Sequence, residues 1–139
     1  MRQRVPEMRI VSTSRAPAVI GPYSLAVVAC GLVFCSGQIG IDPLTGELVV
    51  GTIQAQAQQA LRNLAAVLQA AGSSLDHVVK VTVYLALPAD FGQIDRVYGR
   101  FFRRRAGRPA RTTVQVSRLP LDALVELDAI ALVKKRGEP

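Results

Sequence analysis

Two carboxylates occupy positions where the hydrophobic pattern of the chain predicts burial, and an arginine begins the strand before them. Glu126 and Asp128 interrupt the apolar segment 124–133, and Arg111 begins the alternating segment 111–116. A buried carboxylate needs a partner or its pKa shifts, and a guanidinium at a strand start can supply that partner. The three residues therefore indicate either a site that binds an anion and moves a proton, or a structural ion pair. The residue types alone leave both alternatives open.

The commoner catalytic arrangements find little support in the sequence. His77 is the only histidine, and Cys30 and Cys35 are the only cysteines, at a spacing that matches neither a zinc site nor a redox motif. We interpret the two thiols as reduced, partly buried apolar residues. A serine or cysteine triad would have to depend on His77. No phosphate-binding loop or dinucleotide fingerprint is present, so we predict chemistry without a triad, a metal or a nucleotide cofactor.

Length and composition indicate one ordered domain. The chain has 139 residues, of which 50% are hydrophobic and 19% charged, a balance that excludes a disordered protein. No apolar run approaches the roughly 20 residues needed to cross a bilayer. The basic N-terminus lacks the apolar segment of a signal peptide, so we expect a cytoplasmic protein without membrane contact. We predict a single domain over residues 1–139, with residues 1–15 and 134–139 at its periphery.

Positive charge is concentrated in one segment. The formal net charge is +7, and residues 96–118 contain eight arginines and no acidic residue. Such a cluster could bind the phosphates of a nucleic acid. It could also be the solvated C-terminal end of a helix, where cations complement the helix dipole. Because no nucleic-acid recognition motif accompanies the arginines, the sequence favours the second interpretation.

Hydrophobic periodicity predicts alternating strands and helices. Segments 52–72 and 90–101 have apolar residues at three- and four-residue steps, with Thr52 and Asp90 as N-caps and Gly72 as a terminator. The other apolar segments have the period or the composition of strands. We predict these strands at residues 8–11, 24–29, 32–36, 79–85, 112–116 and 124–133.

This order of elements indicates an α+β fold in which both helices pack on one face of a sheet. The last strand is nevertheless apolar on both of its faces. Val125, Leu127, Ala129, Ala131 and Val133 share one face, and Leu124, Ile130 and Leu132 share the other. A strand of this kind needs cover on both faces. A second subunit is the natural cover for the face that the helices leave open, so we predict an oligomer.

Six short motifs follow one another between residues 16 and 133. They are GPYS at 21–24, SGQI at 36–39, DPxTGE at 42–47, AGSSL at 71–75, PARTxV at 109–114 and LPxDALVE at 119–126. Together, and in this order and spacing, they resemble the RidA family of enamine and imine deaminases. Nearly the whole chain is covered, and six motifs in register are far more specific than any one of them.

The resemblance implies a chorismate-mutase-like α+β fold and a homotrimer, in which the sheets form a central barrel with three clefts between subunits. It also implies hydrolysis of 2-imino acids, released by pyridoxal-phosphate enzymes, to 2-keto acids and ammonia, with no cofactor and no metal. By motif match, Arg111 corresponds to the residue that binds the substrate, Glu126 to the acid that acts on water, and Tyr23 to a tyrosine that contacts the ligand by its ring. Ser36 matches a further position in the cleft.

The chain departs from the family pattern at a few positions. Asp95 stands where many members have asparagine, and Thr113 and Gly40 replace a cysteine and a proline that other members carry. We expect the last two changes to be tolerated. An ionised Asp95 near the cleft would repel an anionic imino acid or favour a substrate with an amino group. Asp95 is therefore a candidate substrate-binding residue that alters the substrate range.

The residue types agree with imine hydrolysis. A planar guanidinium binds a carboxylate through two parallel hydrogen bonds, as expected of Arg111. The carbon of an imine is already electrophilic, so Glu126 would need only to hold a water molecule and move its proton. Two alternatives stay open: a nucleic-acid-binding or RNA-cleaving protein, suggested by the arginine segment, and a non-enzymatic, chaperone-like trimer that binds small acids in the same clefts.

Overall fold

A six-stranded mixed sheet carries both helices on one of its faces. The computed structural model describes residues 7–86, 91–103 and 107–139. The strands are β1 (Met8–Val11), β2 (Ala26–Ala29), β3 (Leu32–Gln38), β4 (Val78–Leu85), β5 (Ala110–Gln115) and β6 (Val125–Leu132), and the helices are α1 (Ile53–Ala70) and α2 (Phe91–Phe101). The order across the sheet is β1-β2-β3-β6-β4-β5, and only β4 and β5 are parallel neighbours. The predicted α+β class is confirmed.

The predicted elements are present, with small shifts at their ends. β2 begins at Ala26 rather than at residue 24, and β3 continues to Gln38. β5 begins at Ala110, earlier than predicted, because its parallel pairing with β4 starts at the rung that joins Lys80 to Ala110. The N-cap predicted at Asp90 lies outside the described residues.

Helix α1 is bounded by the residues that the sequence indicated. The Thr52 hydroxyl accepts a hydrogen bond from the backbone N–H of Ala55 at 3.2 Å, a cap whose loss would cost about 1 kcal/mol. Gly72 has a φ of +79°, the left-handed conformation that terminates helices. The Arg9 guanidinium of β1 donates to the carbonyl of Ala71 at 2.9 Å, so the edge hairpin is tied to the end of the helix. Within the described ranges, neither helix is long and apolar enough to span a membrane.

The core lies between the two helices and the sheet face beneath them. Leu61, Leu64 and Leu68 of α1 are at most 1% exposed, as are Val83 of β4 and Leu127 of β6. Each such side chain contributes about 1.5–3 kcal/mol on burial, so this layer supplies much of the driving force for folding. Leu64→Ala would leave a cavity and cost about 2–5 kcal/mol. This layer holds the sheet rigid beneath the residues considered below.

No element of the described residues covers the other face of the sheet. Phe34 and Leu132 are 43% and 48% exposed there, and Phe34 lies opposite Ile130 across β3 and β6. Farther along β6, Glu126 and Asp128 point to the same face and are partly buried. The two-faced apolar pattern predicted for the last strand is confirmed. The oligomer that this pattern suggests stays a prediction.

A β-bulge interrupts the pairing of β3 with β6. Cys35 pairs with Ala129 and Gln38 pairs with Leu127, so Ser36 and Gly37 together oppose a single residue of β6. A bulge bends its strand and changes the direction of nearby side chains, and bulges are frequent beside active sites. This bulge brings the backbone of Gly37 against the open-face side chains of β6.

Candidate active site

Glu126 lies on the open face of β6 against the bulge of β3. A methyl group added at Gly37 would come within 2.8 Å of Cδ and 3.1 Å of Cγ of Glu126. Real Cβ atoms do not approach side-chain carbons so closely, so any residue other than glycine would push the carboxyl group away. On its other side Glu126 has Tyr84 of β4 as its cross-strand partner. The carboxyl group is thus held between two strands.

The surroundings of Glu126 favour its protonated form. Burial raises the pKa of Glu126 above its ordinary value, and the negative charge of Asp128 raises it further. Asp128 is held on the same face, because the hydroxyl of Tyr84 donates a hydrogen bond to its Oδ2 at 2.9 Å. A carboxyl group with a raised pKa can accept and return a proton near neutral pH more readily than a free one.

A cleft of about 330 Å³ opens beside Glu126. Its lining is mostly apolar and consists of Pro17, Ala18, Val19, Ile20, Tyr23, Leu25, Gly37, Gln38, Ile39, Ile41, Pro120, Leu121 and Glu126. Glu126 is the one carboxylate among these described residues. Tyr23 is 54% exposed, which leaves its ring accessible to a ligand or to a second subunit. The cleft is large enough for a small organic acid with an apolar side chain.

Ser36 does not line this cleft, but its hydrogen bonds hold together two segments that do. Its hydroxyl donates to the carbonyl of Ser24 at 2.6 Å, and its backbone N–H donates to the carbonyl of Leu25 at 2.9 Å. These bonds fasten the segment that carries Tyr23 to the bulge beside Glu126. The substrate contact predicted for Ser36 stays a prediction.

Arg111 lies on the helix side of the sheet, at the start of β5. Its Nη1 donates to Oδ1 of Asp95 in α2 at 2.8 Å, and its guanidinium carbon lies 4.8 Å from the centre of the Tyr98 ring. A second cleft, of about 270 Å³, surrounds this pair. Its lining is Asp95, Tyr98, Gly99, Arg108, Pro109 and Arg111. Arg111 is thus positioned by an ion pair and by a cation–π contact.

The two residues predicted to act together are not brought together within one chain. Arg111 is the rung partner of Val81, which is fully buried under the helices, whereas Glu126 is the rung partner of Tyr84 on the open face. Instead, Arg111 forms an ion pair with Asp95, and Glu126 lines the same cleft as Tyr23. Periodicity could not foresee this separation, because the face of a β5 residue depends on the register of its pairing with β4.

Sequence reasoning also missed the roles of Gly37 and Tyr84 beside Glu126, and the contact that Tyr84 makes with Asp128. Gly37 was visible only as a glycine within a strand, a sign of a bulge or of a close approach. The sequence carries no sign that a carboxyl group approaches it. The Tyr84–Asp128 hydrogen bond joins two strands that are neighbours only in the folded sheet, so no local pattern reveals it.

His77 has partners on both ring nitrogens. Ser74 Oγ lies 2.7 Å from Nδ1, and Glu138 Oε2 lies 2.8 Å from Nε2. The bond from His77 holds the pKa of Glu138 below its ordinary value. Neither the cleft beside Glu126 nor the cleft beside Arg111 is lined by His77, Ser74 or Glu138. The contact fastens the C-terminal tail, which the sequence placed at the periphery, to the turn before β4.

The cysteines and the possible metal ligands of the described residues do not form a second candidate site. Burial, with a smaller effect from Asp128, raises the pKa of the Cys35 thiol to about 12, so this thiol stays protonated. Cys30 is exposed. Among residues 7–86, 91–103 and 107–139, no three His, Cys, Asp or Glu side chains gather where they could hold a metal ion.

The arginine segment is partly neutralised within the chain. Arg111 is paired with Asp95 and Arg118 with Asp122, while Arg108 donates to the carbonyl of Phe102 at 3.3 Å. Arg100 falls in the last turn of α2, as expected for cations at a helix C-terminus. Arg104 and Arg105 lie outside the described residues.

Known proteins resemble this chain over nearly its whole length. The family model described as Endoribonuclease L-PSP matches residues 13–133. A RutC family protein of Pyrococcus horikoshii is 50% identical over 122 residues, which are 88% of this chain and 95% of that protein. The 2-iminobutanoate/2-iminopropanoate deaminase of Mus musculus is 45% identical over 89% of this chain and 90% of its own.

Solved structures agree with the sequence comparisons. The crystal structure of E. coli TdcF with bound serine has 43% sequence identity and a TM-score of 0.84, and the match covers 89% of this chain and 98% of that one. Identity and coverage of this size are found only between members of one family. The chain therefore belongs to the Endoribonuclease L-PSP family, to which the RidA-type imine deaminases belong.

Proposed function

We propose that the protein hydrolyses 2-imino acids to 2-keto acids and ammonia. The observation that carries this proposal is the position of Glu126, a carboxyl group with a raised pKa that is held against Gly37 in a largely apolar cleft. Relatives of this chain at 43–45% identity are named 2-iminobutanoate/2-iminopropanoate deaminases, which supports the choice of reaction. A functional link to pyridoxal-phosphate enzymes, which release such imines, and a cytoplasmic location accompany the proposal as predictions.

The chemistry requires one residue that binds the acid and one that transfers protons. Arg111 holds the substrate carboxylate. Glu126 takes a proton from a water molecule as the water oxygen adds to the carbon of the protonated imine, which gives a neutral carbinolamine. Glu126 then returns the proton to the nitrogen, the C–N bond breaks, and the departing ammonia takes up the hydroxyl proton as the C=O bond forms, so that ammonium is released. Water and imine are consumed, and the side chain ends in its starting state.

A complete site of this kind needs two copies of the chain. The carboxylate and the imine carbon of a 2-imino acid are directly bonded, so Arg111 and Glu126 must both lie within a few ångströms of the ligand. Within one chain they lie on opposite faces of the sheet, one beside Val81 and the other beside Tyr84. We therefore propose that subunits associate through the open sheet face, as a homotrimer, and that each site takes Arg111 from one subunit and Glu126 from another.

The test couples this protein to a pyridoxal-phosphate dehydratase that releases an imino acid, and follows keto-acid formation. Wild-type protein should raise the rate above that of spontaneous hydrolysis. Arg111→Ala and Glu126→Gln should abolish the increase, whereas Glu47→Gln, which removes an exposed carboxylate from a turn, should leave it intact. A wild-type rate equal to that of spontaneous hydrolysis would contradict the proposal.

The family description and the arginine segment also favour RNA as a second candidate ligand. The structure lends this less support, because Arg111 and Arg118 are engaged in ion pairs within the chain. Incubating the protein with labelled RNA at low salt distinguishes the two functions. RNA cleavage without any acceleration of imine hydrolysis would replace the proposal, and small-acid binding with neither activity would point to the non-enzymatic binder.

A further inference from the structure

The described residues engage only part of the guanidinium of Arg111. Asp95 accepts from Nη1 at 2.8 Å, and Tyr98 lies under the guanidinium plane with its centroid 4.8 Å from Cζ. The guanidinium makes no other hydrogen bond to a residue that the structure describes. An arginine carries five N–H donors, so the edge formed by Nε and Nη2 can still donate two parallel hydrogen bonds to a carboxylate.

A carboxylate bound on that edge would share the guanidinium with Asp95. One positive charge would then face two negative charges, and the two carboxylates would repel each other at short range. Arg108, the other cation of this cleft, has its Nε directed to the carbonyl of Phe102. A simple carboxylate is therefore penalised at this site, and the penalty falls if the ligand itself carries a positive charge close to its carboxylate.

We infer that Asp95 makes the Arg111 site select zwitterionic acids, which carry a protonated nitrogen on the carbon next to the carboxylate, over simple carboxylates. This inference rests on the proposed function in one respect, that Arg111 binds the acid group of the ligand. The protonated nitrogen of the ligand faces Asp95 and replaces part of the interaction that Asp95 loses when it shares Arg111.

The selection has a consequence for the reaction. A protonated 2-imino acid is such a zwitterion, whereas the 2-keto acid product has a carbonyl oxygen in place of the nitrogen. Asp95 thus binds the substrate better than the product, which favours product release. An asparagine at this position has no charge and would not make this distinction.

The test measures equilibrium binding of two ligands that differ at a single group, L-serine and L-glycerate. Glycerate has a hydroxyl where serine has its ammonium group. Isothermal titration calorimetry on the full chain should show that wild-type protein binds serine more tightly. In Asp95→Asn the ratio of the two affinities should fall by about fivefold to tenfold, a moderate change because Asp95 is 52% exposed and screened by solvent. Glu47→Gln should keep the wild-type ratio.

The outcomes separate this inference from the proposed function. A ratio that is the same in Asp95→Asn and wild type overturns the inference, and so does an equal gain for both ligands, which would mean that Asp95 only blocks the site. Arg111→Ala should lose both ligands. If Arg111→Ala binds them as wild type does, the acid-binding role of Arg111 fails and the proposed function fails with it. If it loses them while Asp95→Asn is unchanged, only the inference fails.

Discussion

The two faces of the sheet differ in how far their charged residues are paired within the chain. On the helix face, Arg111 is paired with Asp95 and stacked on Tyr98, so its charge is compensated and its position is defined. On the open face, Glu126 forms no ion pair with a described residue, and burial together with Asp128 raises its pKa. The helix face thus presents a cation held in a defined position, and the open face presents a carboxyl group whose surroundings favour its protonated form.

Neither face is sufficient for the proposed chemistry. The helix face has a cation but no carboxyl group with a raised pKa, and the open face has the carboxyl group but no cation in its cleft. The open face is also the one that exposes Phe34 and Leu132. The surface that would drive association therefore adjoins the half-site that lacks a cation, which is the arrangement expected if association completes the site.

The largest expected effect comes from the helix face. Arg111→Ala should lower kcat/KM for imine hydrolysis by about 10³-fold, since it removes a bidentate charged contact. Arg111→Lys keeps the charge but loses the two parallel N–H donors, so kcat/KM should still fall by about 10²-fold. Steady-state kinetics with the coupled assay measures both. Wild-type kinetics in the lysine variant would show that charge alone is needed on this face.

On the open face, Glu126→Gln should lower kcat by about 10²–10³-fold, because it removes the group that transfers protons while it keeps the shape of the side chain. The mass of the assembly by light scattering and the circular dichroism spectrum should match those of wild type. A variant that unfolds while its residual folded fraction turns over normally would identify Glu126 as a structural residue instead.

Gly37→Ala tests the contact between the bulge and the carboxyl group. The added methyl group would lie 2.8 Å from Cδ of Glu126, so the side chain must move. We expect kcat to fall by about 10-fold to 100-fold and the free energy of unfolding by about 1–3 kcal/mol. Kinetics and denaturant unfolding measure the two quantities. Unchanged values for both would show that Glu126 does not depend on this contact.

The smallest expected effect is a pH dependence of stability. A carboxyl group whose pKa is raised in the folded state stabilises the fold while it is protonated, and this contribution is lost as the pH rises through the folded-state pKa. Wild type should therefore lose stability relative to Glu126→Gln as the pH rises above about 4.3, the ordinary value. Solvent screening of this partly buried group keeps the difference below about 1 kcal/mol. Thermal unfolding of both proteins from pH 4 to pH 8 measures this difference in stability. If the stability of Glu126→Gln relative to wild type is lower at pH 8 than at pH 4, the prediction is wrong.

The sequence predicted the elements of the fold better than their mutual arrangement. Period-2 alternation located β4 and β6, and capping chemistry located the ends of α1, because both depend on neighbouring residues. The charges of Arg111 and Glu126 were visible for the same reason, since Glu126 interrupts a local apolar pattern and Arg111 begins an alternating one. The family resemblance then attached roles to them.

What the sequence could not predict depends on pairing between distant segments. The face of Arg111 is decided by its register against Val81, and the contact of Glu126 with Gly37 is decided by a bulge. The partners of His77 come from a turn and from the C-terminal tail, 61 residues apart in the second case. No periodicity within one segment carries such information.

The central claim is that Arg111 and Glu126 of different subunits form one site, and mixing two inactive variants tests it directly. Arg111→Ala and Glu126→Gln subunits are unfolded together in equal amounts, refolded, and assayed for imine hydrolysis. Random assembly then gives about one site in four an intact Arg111 from one subunit and an intact Glu126 from its neighbour. The account predicts about a quarter of wild-type activity in the mixture and almost none in either variant refolded alone. A mixture no more active than the separate variants would contradict it.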